Sequence, residues 1–174
     1  VKANWLHGAP GRNLTVEMDA TLRSTTTVFK NFAGYDFTDP IRKFNEAELP
    51  ILKTTLSSEG TRDFSKDITL SNKAPGMLKA TFLTKVFEGG GDFSIDVFSK
   101  NLAPYTHFVG LRSPETHRYG SYYTDENTVF DVATVDENGV ASGNRELEVK
   151  VFRIEWRWWW NRGEDNLSRY ENAT

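Results

Sequence analysis

The sequence predicts an all-β chain of Greek-key sandwich type, and three observations carry that expectation. Apolar and polar residues alternate with period two through a series of short segments. Turn-forming Gly, Pro and Asn clusters punctuate those segments. Aromatic residues make up 13 % of the chain, a composition that suits pleated, half-buried surfaces.

The elements follow in order. Trp5-Leu6-His7 ends a first strand, and Gly8-Ala9-Pro10-Gly11 turns the chain. From Asn13 to Leu22 the residues Leu14, Val16, Met18, Ala20 and Leu22 share one face, with Thr15, Glu17, Asp19 and Thr21 on the other. Asp39 to Glu48 breaks the pattern and reads as an excursion with room for one helical turn. Ile51 to Leu56 is a short strand, and Ser57-Ser58-Glu59-Gly60 turns it. Phe64 to Leu70 is read as a strand with Phe64, Ile68 and Leu70 inward, closed by the turn Ala74-Pro75-Gly76. Met77 to Glu88 is the longest strand, with Leu78, Ala80, Phe82, Thr84 and Val86 on one face. Gly89-Gly90-Gly91-Asp92 reverses it into a strand from Asp92 to Ser99, where Phe93, Ile95 and Val97 share a face. After Asn101 to Thr106 come strands at His107–Leu111, Asn127–Val135 and Arg145–Trp160, the second and third separated by the turn Asp136-Glu137-Asn138-Gly139.

Composition removes several function classes. The chain of 174 residues carries a net charge of −3 and no basic stripe, so nothing attracts nucleic acid electrostatically. It contains no Cys, which removes disulfides, thiolate metal sites and cysteine nucleophiles together. No apolar run approaches the length of a membrane span. The chain opens at Val1 without Met and is read as a processed or excised segment.

Candidate chemistry is thin. Gly89-Gly90-Gly91 lacks the following helix that a phosphate loop needs, so it reads as a hairpin turn. His7, His107 and His117 fall in no helical i, i+4 pair and no HExxH pattern, whereas catalytic zinc wants three protein ligands. No Gly-x-Ser-x-Gly elbow is present. The carboxylates Asp125, Glu126, Asp131, Asp136 and Glu137 do not follow EF-hand spacing. No catalytic residue, cofactor or metal ligand is therefore assigned, and the chain is expected not to be an enzyme. Asn13-Leu14-Thr15, Asn166-Leu167-Ser168 and Asn172-Ala173-Thr174 match the glycosylation pattern, which matters only in a eukaryotic secretory protein. The unusual feature is Trp156-Arg157-Trp158-Trp159-Trp160. On an extended strand Trp156, Trp158 and Trp160 share a face opposite Trp159, a row that suits core or interdomain packing, or else a binding surface.

Trp5-Leu6-His7-Gly8-Ala9-Pro10-Gly11-Arg12-Asn13-Leu14 resembles bacterial alpha-2-macroglobulin-like proteins. The resemblance continues through Phe37-Thr38-Asp39-Pro40, Leu56-Ser57-Ser58-Glu59-Gly60, Ala74-Pro75-Gly76 and Phe87-Glu88-Gly89-Gly90-Gly91-Asp92-Phe93-Ser94. It extends to Val132-Ala133-Thr134-Val135-Asp136-Glu137-Asn138-Gly139 and to the Trp segment followed by Asp165-Asn166-Leu167, which looks like the version in Bacteroidetes members. The resemblance implies tandem fibronectin-III/immunoglobulin-like macroglobulin sandwiches, residues 1–105 forming the first and 106–174 the N-terminal part of a second. A sandwich of this type takes about a hundred residues, so the second is expected to be incomplete, with open strand edges.

The resemblance further implies a structural scaffold within a protease-trapping inhibitor of the bacterial periplasm or cell envelope. Its partners would be neighbouring domains of the parent chain and, through the whole protein, target proteases. Contact with a membrane would come only through a lipid anchor outside this fragment. Many relatives capture proteases through a Cys–Gln thioester, which a chain without Cys cannot hold. No functional residue of the family maps onto a position here. Two other readings stay open: a carbohydrate-binding sandwich that uses the Trp156–Trp160 row, and an adhesion or secretion module that pairs by strand addition at an open edge.

Overall fold

The computed structural model describes residues 1–70, 73–114, 122–123 and 125–151. Its regular structure is β1 (Thr15–Ser24), a 3-10 turn (Lys30–Phe32), β2 (Ala47–Thr55), β3 (Leu78–Phe87), β4 (Phe93–Leu102), β5 (His107–Arg112) and β6 (Asp131–Asp136). The first four strands form one antiparallel sheet in the order β2-β1-β3-β4, and β5 pairs with β6 in a separate ribbon. The chain is thus all-β. Residues Val1–Gly143 form one compact unit and Asn144–Thr174 another.

β1 lies at the centre because its alternation is the cleanest in the chain. Val16, Met18, Ala20 and Leu22 are all buried, while Thr15 and Asp19 face solvent. Each large apolar side chain removed from water in this way contributes roughly 1.5–3 kcal/mol. Antiparallel pairing with β3 puts Val86, Thr84, Phe82, Ala80 and Leu78 opposite Val16, Met18, Ala20, Leu22 and Ser24, so both strands turn one apolar face to one core. On the other side, the pairing of β1 with β2 shifts register between Met18 and Asp19, and the extra residue on β2 is Ile51. Ile51 is buried against Met18 and Ala20, so the bulge re-aims an aliphatic side chain into the core.

The core face is covered mainly by irregular chain. Leu22, Ala74, Leu78 and Ala80 pack with Phe44, Ile68, Leu70, Leu102 and Tyr105. The segment expected to be a strand at Phe64–Leu70 belongs to this cover and is not a strand. Ile68 and Leu70 dock on the sheet, but the segment enters no ladder and Phe64 stays 40 % exposed. Period two made Ile68 and Leu70 point inward, yet nothing supplied the partner that a strand needs. The expected strand end at Trp5–His7 likewise shrinks to isolated bridges, Lys2 with Thr61 and Asn4 with Pro10. The helical turn expected within Asp39–Glu48 falls earlier, at Lys30–Phe32. Asp39 instead makes a local turn, its Oδ1 accepting from the Ile41 and Arg42 amides.

The Gly89–Gly91 turn closes the β3–β4 hairpin as expected, with the Glu88 amide donating to Asp92 O at 2.8 Å. The β5–β6 ladder starts at Asp131, four residues into the expected strand. In the second unit the described residues, 144–151, are irregular and exposed, with Lys150 paired to Glu148 at 3.1 Å. The remainder of the strand expected at Arg145–Trp160 lies outside the described residues.

One polar tie joins the end of β1 to the segment before β2. Arg23 donates through Nε to Glu46 Oε2 at 2.7 Å and through Nη2 to Oε1 at 2.8 Å. The hydrogen bonds from Arg23 hold the Glu46 carboxyl below the ordinary carboxylate range.

Leu78 is fully buried, so Leu78→Ala should cost about 2–5 kcal/mol in urea denaturation; a change under about 1 kcal/mol would show that the site collapses around the void. Because its folded pKa is depressed, Glu46 stabilises the fold above its unfolded pKa and loses that effect as pH falls through the folded value. The gap in urea midpoint between the parent chain and Glu46→Gln should therefore be small at neutral pH, narrow with added salt and vanish in acid.

Candidate functional site

The four-stranded sheet and the β5–β6 ribbon are joined by the short covalent stretch Ala103–Thr106. What packs across that stretch is an aromatic junction. Phe29, Phe37, Phe108 and Val135 form a buried cluster, with Phe32, Tyr35, Met77, Ala103, Tyr105 and Ala133 packed against it. Phe29 and Phe37 meet edge to face with centroids 4.8 Å apart, and Phe29 lies 5.5 Å from Phe108. These are favourable geometries for rings carrying opposed quadrupoles.

Tyr105 is the member shared by two cores. It packs on the Leu22–Leu78 cluster of the large sheet and on the aromatic cluster of the junction. Its ring sits 5.9 Å from Phe108, and its hydroxyl donates to Ala74 O at 2.6 Å. Ala74 is fully buried, so the phenol satisfies a carbonyl deep in the first core.

The segment after β1 reaches across to β5. The Asp36 amide donates to Leu111 O, and the Leu111 amide donates to Asp36 O, both at 2.9 Å. Thr27, buried at the root of this segment, accepts at Oγ1 from the Met77 amide at 2.8 Å. At the far edge Arg112 pairs with Asp131 at 2.5 Å and lies over the Tyr35 ring, 4.9 Å from its centroid. The hydrogen bond to Asp131, then Tyr35, holds the Arg112 guanidinium more basic than usual.

Two glycines make the close approach possible. A Cβ on Gly110 would lie 2.5 Å from Phe37 Cε1, so the ring rests directly on the β5 backbone. Gly139 has φ +79°, and a Cβ there would lie 2.7 Å from Phe29 Cδ1.

Three of the residues singled out for chemistry, Asp131, Asp136 and His107, have other contacts. Asp131 binds Arg112, and Asp136 Oδ1 accepts from the Asn138 and Val140 amides at 2.9 and 2.8 Å, forming the turn. His107 Nδ1 lies 3.0 Å from Thr106 Oγ1. Among the described residues no group of three His, Cys, Asp or Glu is placed to hold a metal ion. An open groove of about 590 Å³ is lined by residues including Lys66, Asp67, Lys73 and Tyr105. His117, Asn166, Asn172 and the row Trp156, Trp158, Trp159 and Trp160 lie outside the described residues. Sequence reasoning missed Phe29, Phe32, Tyr35 and Tyr105; the signal was present as aromatics at irregular spacing in stretches without alternation.

Residues 1–94 match the family model described as the bacterial alpha-2-macroglobulin MG5 domain, and residues 110–174 match bacterial macroglobulin domain 6. Among solved structures, the native conformation of the E. coli alpha-2-macroglobulin is 20% identical, with a TM-score of 0.56 over 97% of this chain and 11% of that one. The Salmonella alpha-2-macroglobulin reacted with methylamine is 18% identical, with a TM-score of 0.59 over 99% of this chain and 12% of that one. Trypsin-activated E. coli alpha-2-macroglobulin is 19% identical, with a TM-score of 0.52 over 98% of this chain and 12% of that one. At these identities the likeness is one of fold, and this chain spans little more than a tenth of the length of those proteins. No curated protein matches the chain.

Tyr105→Phe leaves the buried Ala74 carbonyl without its donor and should cost about 1–3 kcal/mol in equilibrium denaturation. Gly110→Ala drives a methyl group into Phe37 and should cost about 1–3 kcal/mol or more. Adding Phe37→Leu to Gly110→Ala should recover part of that loss, and strict additivity of the two changes would disprove the contact.

Proposed function

The chain belongs to the bacterial alpha-2-macroglobulin family, and from that premise we propose that it is a non-catalytic scaffold within a longer protease-trapping protein. Residues 1–105 are one macroglobulin domain of that parent and 106–174 the N-terminal part of the next, and the parent's other domains are their partners. The observation that carries the reading is the order of the two family matches, fifth domain then sixth, on a chain whose two sheets are joined by a buried aromatic junction.

The physical role follows from the junction. A protein that responds to cleavage at one place by rearranging elsewhere needs rigid links to transmit the change. Two sheets held only by a short peptide would swing independently. Tyr105, anchored in both cores, and Phe37, seated on the Gly110 backbone, remove that freedom. Asp131 is engaged in a surface pair and Asp136 in a turn, which fits a chain that supplies geometry and leaves reaction chemistry to other parts of the parent.

Relatives of similar fold include an E. coli protein activated by trypsin or by porcine elastase and a Salmonella protein reacted with methylamine. By analogy, the parent undergoes a cleavage-triggered change in the periplasm or cell envelope, held there by a lipid anchor outside this fragment. A thioester, if the parent carries one, lies elsewhere, because the chain has no Cys.

The test compares the chain with its parent. The purified chain should leave trypsin and elastase activity unchanged, whereas the parent should retain protease after cleavage. Gly110→Ala in the parent should reduce retention without abolishing cleavage. Equal retention by the variant, with the junction shown to be perturbed, would refute the linking role. A saturable change in tryptophan fluorescence on titrating the chain with oligosaccharides would instead assign function to the Trp156–Trp160 row.

A further inference from the structure

The chain between β1 and β2 does not stay with its own sheet. Residues 25–39 leave the end of β1, reach the β5–β6 ribbon and come back. Both legs of this strap are pinned to the residues that precede β3. On the outgoing leg the Thr25 amide donates to Met77 O at 3.1 Å, and the buried Thr27 Oγ1 accepts from the Met77 amide at 2.8 Å. On the returning leg the Asp39 amide donates to Pro75 O at 2.7 Å. At the tip Asp36 exchanges two hydrogen bonds with Leu111, the pattern of an antiparallel bridge. Leu111 also pairs with Val132 on β6. Asp36 therefore stands where a third strand of the ribbon would stand.

The strap also supplies much of the ribbon's apolar cover. β5 and β6 are six residues each, and a two-stranded ribbon by itself is marginal in water. It buries the side chains of Phe108 and Val135. Their buried partners Phe29 and Phe37 both come from the strap, and Phe32 and Tyr35 pack around them. Dependence runs the other way as well. If the ribbon opened alone, Phe29 and Phe37 would be uncovered while the strap stayed pinned at its legs. The large sheet would then carry aromatic surface in water that it now hides.

These contacts cross the division between the two family matches. The strap lies within residues 1–94, and Leu111 and Val135 lie within 110–174. Every contact of the strap named here is nevertheless internal to Val1–Gly143, which is one compact unit.

We propose that residues 25–39 are a strap lent by the first macroglobulin domain to the second, through which the large sheet and the β5–β6 ribbon open and refold as one cooperative unit. The stretch Ala103–Thr106 is then a point of fusion and not a hinge. The proposal rests on the domain assignment of the scaffold reading but not on protease trapping. Its test involves no protease, so either can fail alone.

Native-state hydrogen exchange of the 174-residue chain, across low denaturant concentrations, tests it. Amides of β5 and β6 should show the same opening equilibrium and the same denaturant slope as amides of β1 and β3. Ribbon amides that open at least about tenfold more readily than those of β1, with a shallower slope, overturn the proposal. Phe37→Ala removes a ring that ties the strap to the ribbon, and it leaves less apolar surface to uncover when the ribbon opens alone. It should accelerate exchange in β5 and β6 at least about tenfold more than in β1 and β3. Phe37→Leu keeps the site apolar should the alanine variant not fold, and it should act in the same direction to a smaller extent. Equal acceleration of all four strands by either variant would assign the coupling to Tyr105 and the linker, and the strap's role would be lost.

Discussion

Much of this molecule depends on one half-buried side chain, Tyr105, packing in two places at once. Its ring belongs to the core of the large sheet and to the aromatic junction, and its hydroxyl closes on the Ala74 carbonyl. A phenol suits this position because it is an apolar body with a polar tip. The body supplies area to both clusters. The tip satisfies a backbone acceptor that the first core would otherwise bury unpaired, at a cost of about 1–3 kcal/mol. A linker without such a residue would leave the Phe29–Phe37–Phe108 cluster and the Asp36–Leu111 hydrogen bonds to hold the two sheets together.

Around that point the junction is built by subtraction as much as by addition. Phe37 reaches the β5 backbone because Gly110 has no side chain, and Phe29 passes Gly139 in a turn that needs positive φ. Each aromatic ring therefore has a matching absence on the facing element. Substitutions at these glycines act on the rings, and substitutions at the rings open cavities over the glycines. Residues far apart in sequence are thereby coupled by steric fit.

Polar groups play a local part. Asp36, Asp39, Ser57 and Asp136 cap turns through their own backbone neighbourhood, and Arg23–Glu46, Lys53–Glu17 and Arg112–Asp131 are exposed pairs of modest worth. This distribution suits a structural part. What distinguishes one edge of the sheet from the other is how each strand is built. The contrast between β2, with its proline and bulge, and the uninterrupted β4 is of that kind.

The sequence by itself determined the faces of the strands. Alternation in β1 and β3 assigned Val16, Met18, Ala20, Leu22, Leu78, Ala80 and Phe82 to one side, and the glycine cluster marked the hairpin between β3 and β4, because a period of two and a turn are local properties of the chain. It also carried the family, through short turn motifs in a fixed order. Tertiary structure alone decided which extended segments became strands. Ile68 and Leu70 obeyed the same periodicity yet cover the sheet without joining a ladder, since pairing depends on a partner that periodicity does not specify. It decided too that Phe29, Phe37, Phe108 and Tyr105 meet, because irregularly spaced aromatics give no signal of their contacts until distant glycines leave room for them. The place of β4 at the edge of the sheet is likewise a property of strand order, which no segment carries alone.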